Sequence, residues 1–231
     1  MIKYLLGGIL MIIVMLGSLD FLYYVFQSDI YSTEYVENNL ILRDYVHYNP
    51  SMLYYNGNYY NFYTINSSIP VSLEDIVSTN GIPLIQINDY TNCYWNVTKI
   101  PSYEEKTLLY AKIGNTQGYV IGESPLKPLI VNEKLNVWSS GNEVYVTAKN
   151  CGNIPVYYQY IIITGVEFCC IIVCNQSFWY YNWVSDYVSI NSWFFPGYSY
   201  STSASFVNLT YAYADLYYSD VVGEGVSYGS T

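Results

Sequence analysis

The chain has 231 residues, of which 52% are hydrophobic, 11% are charged and 31 are tyrosines, and its formal net charge is −10. This hydrophobic content suffices for one or two buried cores and argues against intrinsic disorder. The negative charge, with Lys and Arg spread singly, argues against a nucleic-acid partner. The surface is therefore expected to be hydrated mainly by hydroxyl and amide groups, which suits an acidic exterior.

The strongest signal in the sequence is the apolar segment Tyr4–Phe26, in which Asp20 is the only charged residue. As a helix it is long enough to cross the roughly 30 Å hydrocarbon core of a bilayer. Lys3 precedes it, and a base at that end predicts that the N-terminus lies inside the cell and the remainder outside. We therefore expect residues 1–29 to form a transmembrane or pilin-type helix and the rest of the chain to be exported.

Three fates fit this segment: a cleaved secretory signal, a retained anchor, or a helix that leaves the membrane to form the core of a filament. The apolar run exceeds the roughly 7–15 residues of a signal peptide, and small residues are poorly placed for secretory cleavage, which favours retention. Gly7 and Gly8 follow a short basic start. This start resembles the signal of archaeal pilins and archaellins, where cleavage follows a Gly, and the resemblance makes both glycines candidate processing residues.

Residues 30–128 are predicted to form a β-rich domain of unknown type. Its beginning, as far as Tyr45, is equally compatible with a helix that continues out of the membrane and with a first strand. Asn56 and Gly57 lie between two aromatic runs. This pair predicts a hairpin with a type I′ turn, since both central residues of that turn need positive φ.

The second half of this region is predicted from turn and cap signals. Ser72 and Asp75 have the spacing of a helix cap and predict one short helix through Val77. Further strands are predicted, in chain order, at IPLIQIN, TNCYWNVT, TLLYAKI and QGYVIGE. The Pro-containing stretch Glu123–Leu129 interrupts this pattern and is the predicted domain boundary.

Residues 129–231 are predicted to form an antiparallel β-sandwich of about seven strands. The turn Ser139–Asn142 joins two alternating runs, which predicts a hairpin with one buried face formed by Val144, Val146 and Ala148. The predicted fold class is therefore mainly β, with an N-terminal apolar helix followed by antiparallel sandwich regions.

Two motifs in this region occur in a recognisable order, EVYVTAKNCGNIPVYYQYIIITG and then WFFPGYSYSTSASF. They resemble the Ig-like β-sandwich of archaeal pilins, archaellins and related surface proteins, in which Asn-x-Gly-Asn-x-Pro-Val follows an alternating strand and Pro-Gly-x-Ser comes later. The Tyr-rich, charge-poor composition also resembles exported filament subunits of thermoacidophilic crenarchaea. The resemblance implies an Ig-like fold, but such modules serve in filaments, adhesins and solute-binding proteins alike.

Sequons and cysteines are the candidate modification sites of an exported chain. Four Asn-x-Ser/Thr sequons are N-glycosylation candidates, at Asn66, Asn96, Asn175 and Asn208. Five cysteines are disulfide candidates, at Cys93, Cys151, Cys169, Cys170 and Cys174. For the last three, packing as small apolar side chains in a strand and a bridge from Cys151 stay equally open.

No pattern in the sequence indicates catalysis, a cofactor or a metal. His47 is the only histidine, and its place in an aromatic run is typical of a surface or packed strand position. Cys-Cys-x3-Cys lacks the spacing and the histidine of a zinc site, and no glycine-rich phosphate loop is present. We therefore expect no catalytic residue, no cofactor and no metal site.

The aromatic stretch Phe178–Trp183, with Trp193, Phe194 and Phe195, allows two interpretations. It is either a surface for sugar stacking or subunit contact, or a set of core and strand-face aromatic residues. The second interpretation is favoured, because alternate positions of a sandwich strand are apolar in any case.

The leading hypothesis is a non-catalytic structural subunit or accessory component of an extracellular cell-surface filament, pilin-like in its use of the N-terminal segment. Its partners would be copies of itself or other surface proteins, and the membrane through Tyr4–Phe26. The alternatives are a membrane-anchored adhesin or carbohydrate-binding module and an archaeal virion surface protein. An exported hydrolase ranks last.

Overall fold

The computed structural model describes residues 17–19, 21–25, 27, 36–174 and 176–231, and the fold is mainly β. Residues 17–19, 21–25 and 27 are helical, and a further helix, α1, covers residues 36–45. Within the described part of the chain, no helix is long and apolar enough to cross a membrane. Most of the predicted segment Tyr4–Phe26, including Gly7 and Gly8, lies outside the described residues.

The strands follow α1 in chain order. The first group is β1 (Val46–Tyr55), β2 (Asn58–Ser78), β3 (Pro83–Ile100), β4 (Lys106–Ile113), β5 (Thr116–Glu123) and β6 (Lys127–Pro128). The second group is β7 (Glu133–Ser140), β8 (Glu143–Asn150), β9 (Val156–Val173), β10 (Gln176–Phe194), β11 (Ser199–Ser205), β12 (Leu209–Ser219) and β13 (Glu224–Ser230).

The strands form three sheets. The first group makes one sheet in the order β5-β4-β2-β1-β6, with β3 also paired to β2. The second group makes a four-stranded sheet, β10-β9-β12-β13, and a three-stranded sheet, β11-β8-β7. Neighbours in these two smaller sheets are antiparallel, as the sequence predicts for this region.

By contacts the chain divides into two compact units. The first comprises residues 1–51, 63–96 and 100–125, and the second comprises 52–62, 97–99 and 126–231. The last division falls inside the predicted boundary Glu123–Leu129. Residues 52–62 and 97–99 group with the second unit although they precede it in the sequence, so the limits 30–128 and 129–231 stay a prediction.

In the first unit, α1 packs closely on β5. The Asn39 side chain accepts a hydrogen bond from the Tyr119 N–H at 2.8 Å, and Leu42 is fully buried. A Cβ at Gly118 would lie 2.2 Å from Asn39 Oδ1, so only glycine allows this approach. This packing decides between the two structures that the sequence allowed before Tyr45, and the structure is a helix.

Two local predictions in the first half of the chain have opposite outcomes. Asn56 and Gly57 have φ of 47° and 80° between β1 and β2, which confirms the hairpin. The short helix predicted from Ser72 is wrong, because these residues belong to β2 and pair with β4. That ladder buries Val71 and Leu73 completely, which outweighs a helix cap worth about 1 kcal/mol.

The other strands predicted in this half are present. IPLIQIN and TNCYWNVT, predicted as two strands, form the single strand β3. TLLYAKI and QGYVIGE correspond to β4 and β5, and the turn between them contains Gly114 at φ 57°. The extra length of β3 was not visible in the sequence, because Asn88 and Asp89 look like a turn between two runs.

The second unit has one hydrophobic core to which both smaller sheets contribute. Val144, Val146 and Ala148 of β8 are fully buried, which confirms their predicted shared face. The four-stranded sheet contributes residues of β9 and β12 that are equally buried, namely Ile161, Ile163, Ala212, Ala214 and Leu216. The burial therefore follows the alternation of side chains along each strand.

A buried amide, Asn150, connects three segments at one end of this core. Its Nδ2 donates to the carbonyls of Ile154 and Phe194, both at 2.8 Å. Its Oδ1 accepts from the Gly152 N–H at 2.9 Å. The side chain thus joins the end of β8, the turn before β9 and the end of β10, and all its polar atoms are satisfied.

The second asparagine of the same motif holds the segment before β7. Asn153 Nδ2 donates to the Pro128 carbonyl at 2.8 Å, and its Oδ1 accepts from the Ile130 N–H at 2.8 Å. Its own N–H donates to the Ile130 carbonyl at 3.0 Å. The turn Asn150–Asn153 therefore fixes the chain at the C-terminal end of the predicted boundary stretch.

The two sequence motifs also meet through backbone hydrogen bonds. The Asn150 N–H donates to the Tyr198 carbonyl at 3.1 Å, and the Gly197 N–H donates to the Asn150 carbonyl at 2.8 Å. Gly197 has φ of 86°, a conformation that glycine adopts without strain. The residues that carry the resemblance in the sequence are thus joined in space.

Replacing Asn150 by alanine is expected to destabilise the protein by about 2–4 kcal/mol, because two carbonyls and one N–H would lose their partner in a buried site. Urea denaturation followed by intrinsic fluorescence measures this loss. Asn136→Ala, on the exposed side of β7, is the matched control and should change the stability by less than about 0.5 kcal/mol. Equal effects of the two variants would contradict a stabilising role for the Asn150 network.

Candidate interaction surface

The outer face of the four-stranded sheet, opposite the core, carries a layer of aromatic rings. In its first row the Tyr160 ring lies between those of Tyr187 and Tyr217, at centroid distances of 4.8 and 4.5 Å. In a second row the rings of Trp183 and Tyr213 are 6.2 Å apart. We call this layer, across β10, β9 and β12, the aromatic face.

The aromatic face continues onto a two-stranded projection. The ladder between β12 and β9 ends at Glu167, but β9 and β10 run further as a pair. Phe168–Val173 is paired with Gln176–Tyr181 in continuous antiparallel register. We call residues 168–174 and 176–183 the aromatic hairpin.

Apolar side chains are exposed on both faces of the aromatic hairpin. On the side continuous with the aromatic face, Phe168 stacks on Trp179 at 4.9 Å, and Ile172 is 71% exposed. On the opposite side, Ile171 pairs with Phe178, and both are about half exposed. Neither face is covered by another strand of the described chain.

The aromatic hairpin is also free of charge. Residues 168–185 contain no charged side chain, although the whole chain carries −10. Glu167 at its base is buried and accepts a hydrogen bond from the Val207 N–H at 2.7 Å. Asp186 is the first charge beyond it on β10. An apolar, uncharged projection therefore extends from an acidic protein.

The exposed apolar area of the aromatic hairpin is large. Its most exposed side chains are Ile171, Ile172, Val173, Phe178, Trp179, Tyr180, Tyr181 and Trp183, with exposures from 42% to 71%. Since a large apolar side chain presents about 150–250 Å² in full, these eight expose roughly 800 Å² together, divided between the two faces of the aromatic hairpin. An apolar patch of a few hundred Å² on one face lies in the range that often marks a functional surface of a monomer.

This exposure corrects the favoured interpretation of the aromatic stretch. Phe178–Trp183 lies on strand faces, but on exposed ones and not in the core. Of the later aromatics, Phe194 packs against the core, whereas Trp193 is 47% exposed and contacts Tyr157. The signal in the sequence that indicates this hairpin is the long run without a charged residue. This run is much longer than a typical strand of about 5–6 residues.

The sequons and cysteines occupy varied environments. Asn66 and Asn208 are exposed, Asn96 is half-buried, and Asn175 lies outside the described residues. All five cysteines are free in this structure, and Cys169 and Cys170 pair with Tyr180 and Trp179 on opposite faces of the aromatic hairpin. Cys151 is half-buried in the turn before β9. Glycosylation and disulfide pairing stay predictions.

His47, the only histidine of the sequence, is exposed on β1. Among the residues that the structure describes, no three His, Cys, Asp or Glu side chains come together as a metal site.

The buried carboxyl group of Glu133 is the strongest electrostatic feature of the second unit. Tyr158 donates its hydroxyl to Glu133 Oε2, while Oε1 is buried without a hydrogen-bond partner. The pKa of Glu133 is raised from 4.5 to about 7, mainly by burial, with a smaller contribution from nearby Asp220 and a partial offset from the Tyr158 hydrogen bond. The protonated carboxyl is therefore the form that this site accommodates.

The folded protein is expected to be more stable at pH 4.5 than at pH 7.5. Below 4.5 both states hold the Glu133 proton, whereas between 4.5 and 7 only the folded state holds it, so stability falls as pH rises. The loss due to this group is about 2–3 kcal/mol. Chemical denaturation at several pH values measures it.

Glu133→Gln should remove most of this pH dependence, because the amide oxygen still accepts from Tyr158 without titrating. Glu224→Gln, an exposed carboxylate on β13, is the control and should keep the wild-type slope. If the stability of Glu133→Gln depended on pH as steeply as that of the wild type, Glu133 would not be the group responsible.

Compared with known proteins, the chain matches no family model, and no curated protein is similar to it.

Proposed function

We propose that this protein is a non-catalytic structural subunit or accessory component of an extracellular cell-surface filament, pilin-like in its N-terminal segment. The observation that supports this proposal is the aromatic hairpin, which exposes large apolar side chains on both faces and carries no charge. It is a projecting ribbon, whereas small-molecule sites are concave. It therefore suits a macromolecular partner better than a small substrate.

An Ig-like sandwich for the second unit is part of the proposal. The seven strands β7–β13 divide into three and four around one core, as in sandwiches that serve many surface proteins. The fourth strand, β10, pairs with the third, β9, and not with the fifth, so the order differs from the constant-type immunoglobulin sheets. The junction of the two motifs at Asn150 also supports the resemblance to archaeal surface sandwiches.

Export to the cell surface agrees with several features of the described chain. The exposed sequons at Asn66 and Asn208 are accessible to glycosylation. The preference of the Glu133 site for a protonated carboxyl agrees with an acidic exterior. The apolar segment Tyr4–Phe26 supplies the element by which a pilin-like subunit would contact the membrane and then its neighbours.

The mature N-terminus distinguishes the leading proposal from its alternatives. Intact-mass or peptide analysis of surface protein is expected to show a start at Gly8 or Ile9. A start at Met1 or Ile2 would favour a membrane-anchored adhesin or binding module instead. A start near Asp20 or later would remove the helix on which both proposals depend.

Deletion of the coding sequence is expected to abolish or alter a class of surface filaments, as seen by electron microscopy of negatively stained cells. Reintroduction of the wild-type chain should restore them. Filaments that persist unchanged in number and diameter after deletion would sink the filament role.

A further inference from the structure

The outer edge of β10 has no partner among the strands that the structure describes. β10 lies at the end of the four-stranded sheet and is hydrogen-bonded to β9 on one side. Backbone N–H and C=O groups at alternate positions of its other side therefore point away from the sheet. At Asp186 the strand gains a charge, and its side chain accepts the Tyr187 N–H at 2.9 Å. We call residues 176–185, which precede this charge, the open part of the edge.

This open part lacks the features that normally protect a strand edge. Native edges are blunted by charges, especially Lys, by Pro, by bulges or by short length. Residues 176–185 contain no charge and no Pro, and the register irregularity of β10 lies further along, between Ser189 and Ser192. By contrast, β13 at the opposite edge has seven residues and begins with Glu224.

We propose that two copies of this chain associate by pairing their β10 edges in antiparallel fashion across a two-fold axis, centred near Tyr181. This proposal rests on the proposed function, because it names the partner of the aromatic hairpin. A two-fold axis lets one edge serve both partners, so the pairing is self-complementary. It would join the two four-stranded sheets into one continuous sheet.

Charge favours a second copy at this place. Each chain carries −10, so two copies repel each other over most of their surfaces. Antiparallel pairing centred near Tyr181 sets the uncharged part of one edge against the uncharged part of the other, and it keeps Asp186 at the two ends. A parallel pairing would place the two copies of Asp186 side by side.

The backbone favours a protein strand over lipid as the occupant. A second β10 satisfies the open N–H and C=O groups, whereas a hydrocarbon environment leaves them without partners. Pairing also places Trp179, Tyr181 and Trp183 of the two copies side by side on one sheet face. Aromatic cross-strand pairs of this kind stabilise a sheet.

The full-length chain in detergent is expected to sediment as a dimer in analytical ultracentrifugation. Tyr181→Lys should weaken this association at least about tenfold, because it removes an aromatic contact and sets two like charges opposite each other near the axis. Ser177→Lys, which adds a charge to the open edge without removing a ring, should act in the same direction. Tyr228→Lys, at a residue 73% exposed on β13, is the matched control and should dimerise like the wild type.

Hydrogen exchange gives a second measurement. In the wild type, amides in residues 176–185 should be protected, and dilution or Tyr181→Lys should speed their exchange while β12 stays unchanged. Thermal unfolding of each variant shows whether its fold is intact. If Tyr181→Lys does not fold, Ser177→Lys tests the pairing in its place.

Two outcomes would overturn the pairing: a monomeric wild type, or equal effects of the β10 and β13 variants on the dimer. A monomer that binds lipid vesicles through the aromatic hairpin would point to a membrane as its partner instead. Loss of filaments on deletion, together with a monomeric chain, would overturn the pairing alone. A dimer that depends on β10, in cells whose filaments persist after deletion, would support the pairing and overturn the filament role.

Discussion

The buried amide of Asn150 is the interaction on which the arrangement of the second unit depends. It ties the ends of β8 and β10 and the turn before β9 together at one edge of the core, where every lost hydrogen bond leaves a buried carbonyl unpaired. β9 and β10 run 18 and 19 residues from this fixed end. The core covers only the parts of β9 and β10 that lie near Asn150. The two strands are longer than the core, so their other ends project and form the aromatic hairpin.

Stability and the proposed association thus use different positions of the same two strands. Core-facing residues such as Ile161 and Ile163 are fully buried, whereas Tyr187, Trp183 and the aromatic hairpin remain at the surface. The absence of charge from the aromatic hairpin is a local property of an acidic chain, whose net charge opposes contacts between copies elsewhere.

What the sequence predicted well depended on local chemistry. The Asn56-Gly57 turn and the alternation of Val144, Val146 and Ala148 are decided within a few residues, so both were predicted correctly. The helix before β1 depended on the hydrogen bond of Asn39 with the Tyr119 N–H, 80 residues away, and the pattern at Ser72 was overridden by pairing with β4. The exposure of Phe178–Trp183 was missed because alternating apolar residues look alike whether a partner sheet covers them or not.

Acidity is expected to act on folding and on the proposed association in the same direction. Protonation of Glu133 relieves the burial of a charge, so the fold gains stability as the pH falls from 7 towards 4.5. The net charge of the chain approaches zero near its pI of 4.3, so the repulsion between the two copies of the proposed dimer would weaken as the pH falls. The open part of β10 and the aromatic hairpin carry no charge, so the contacts of the proposed pairing would not be lost over the same range.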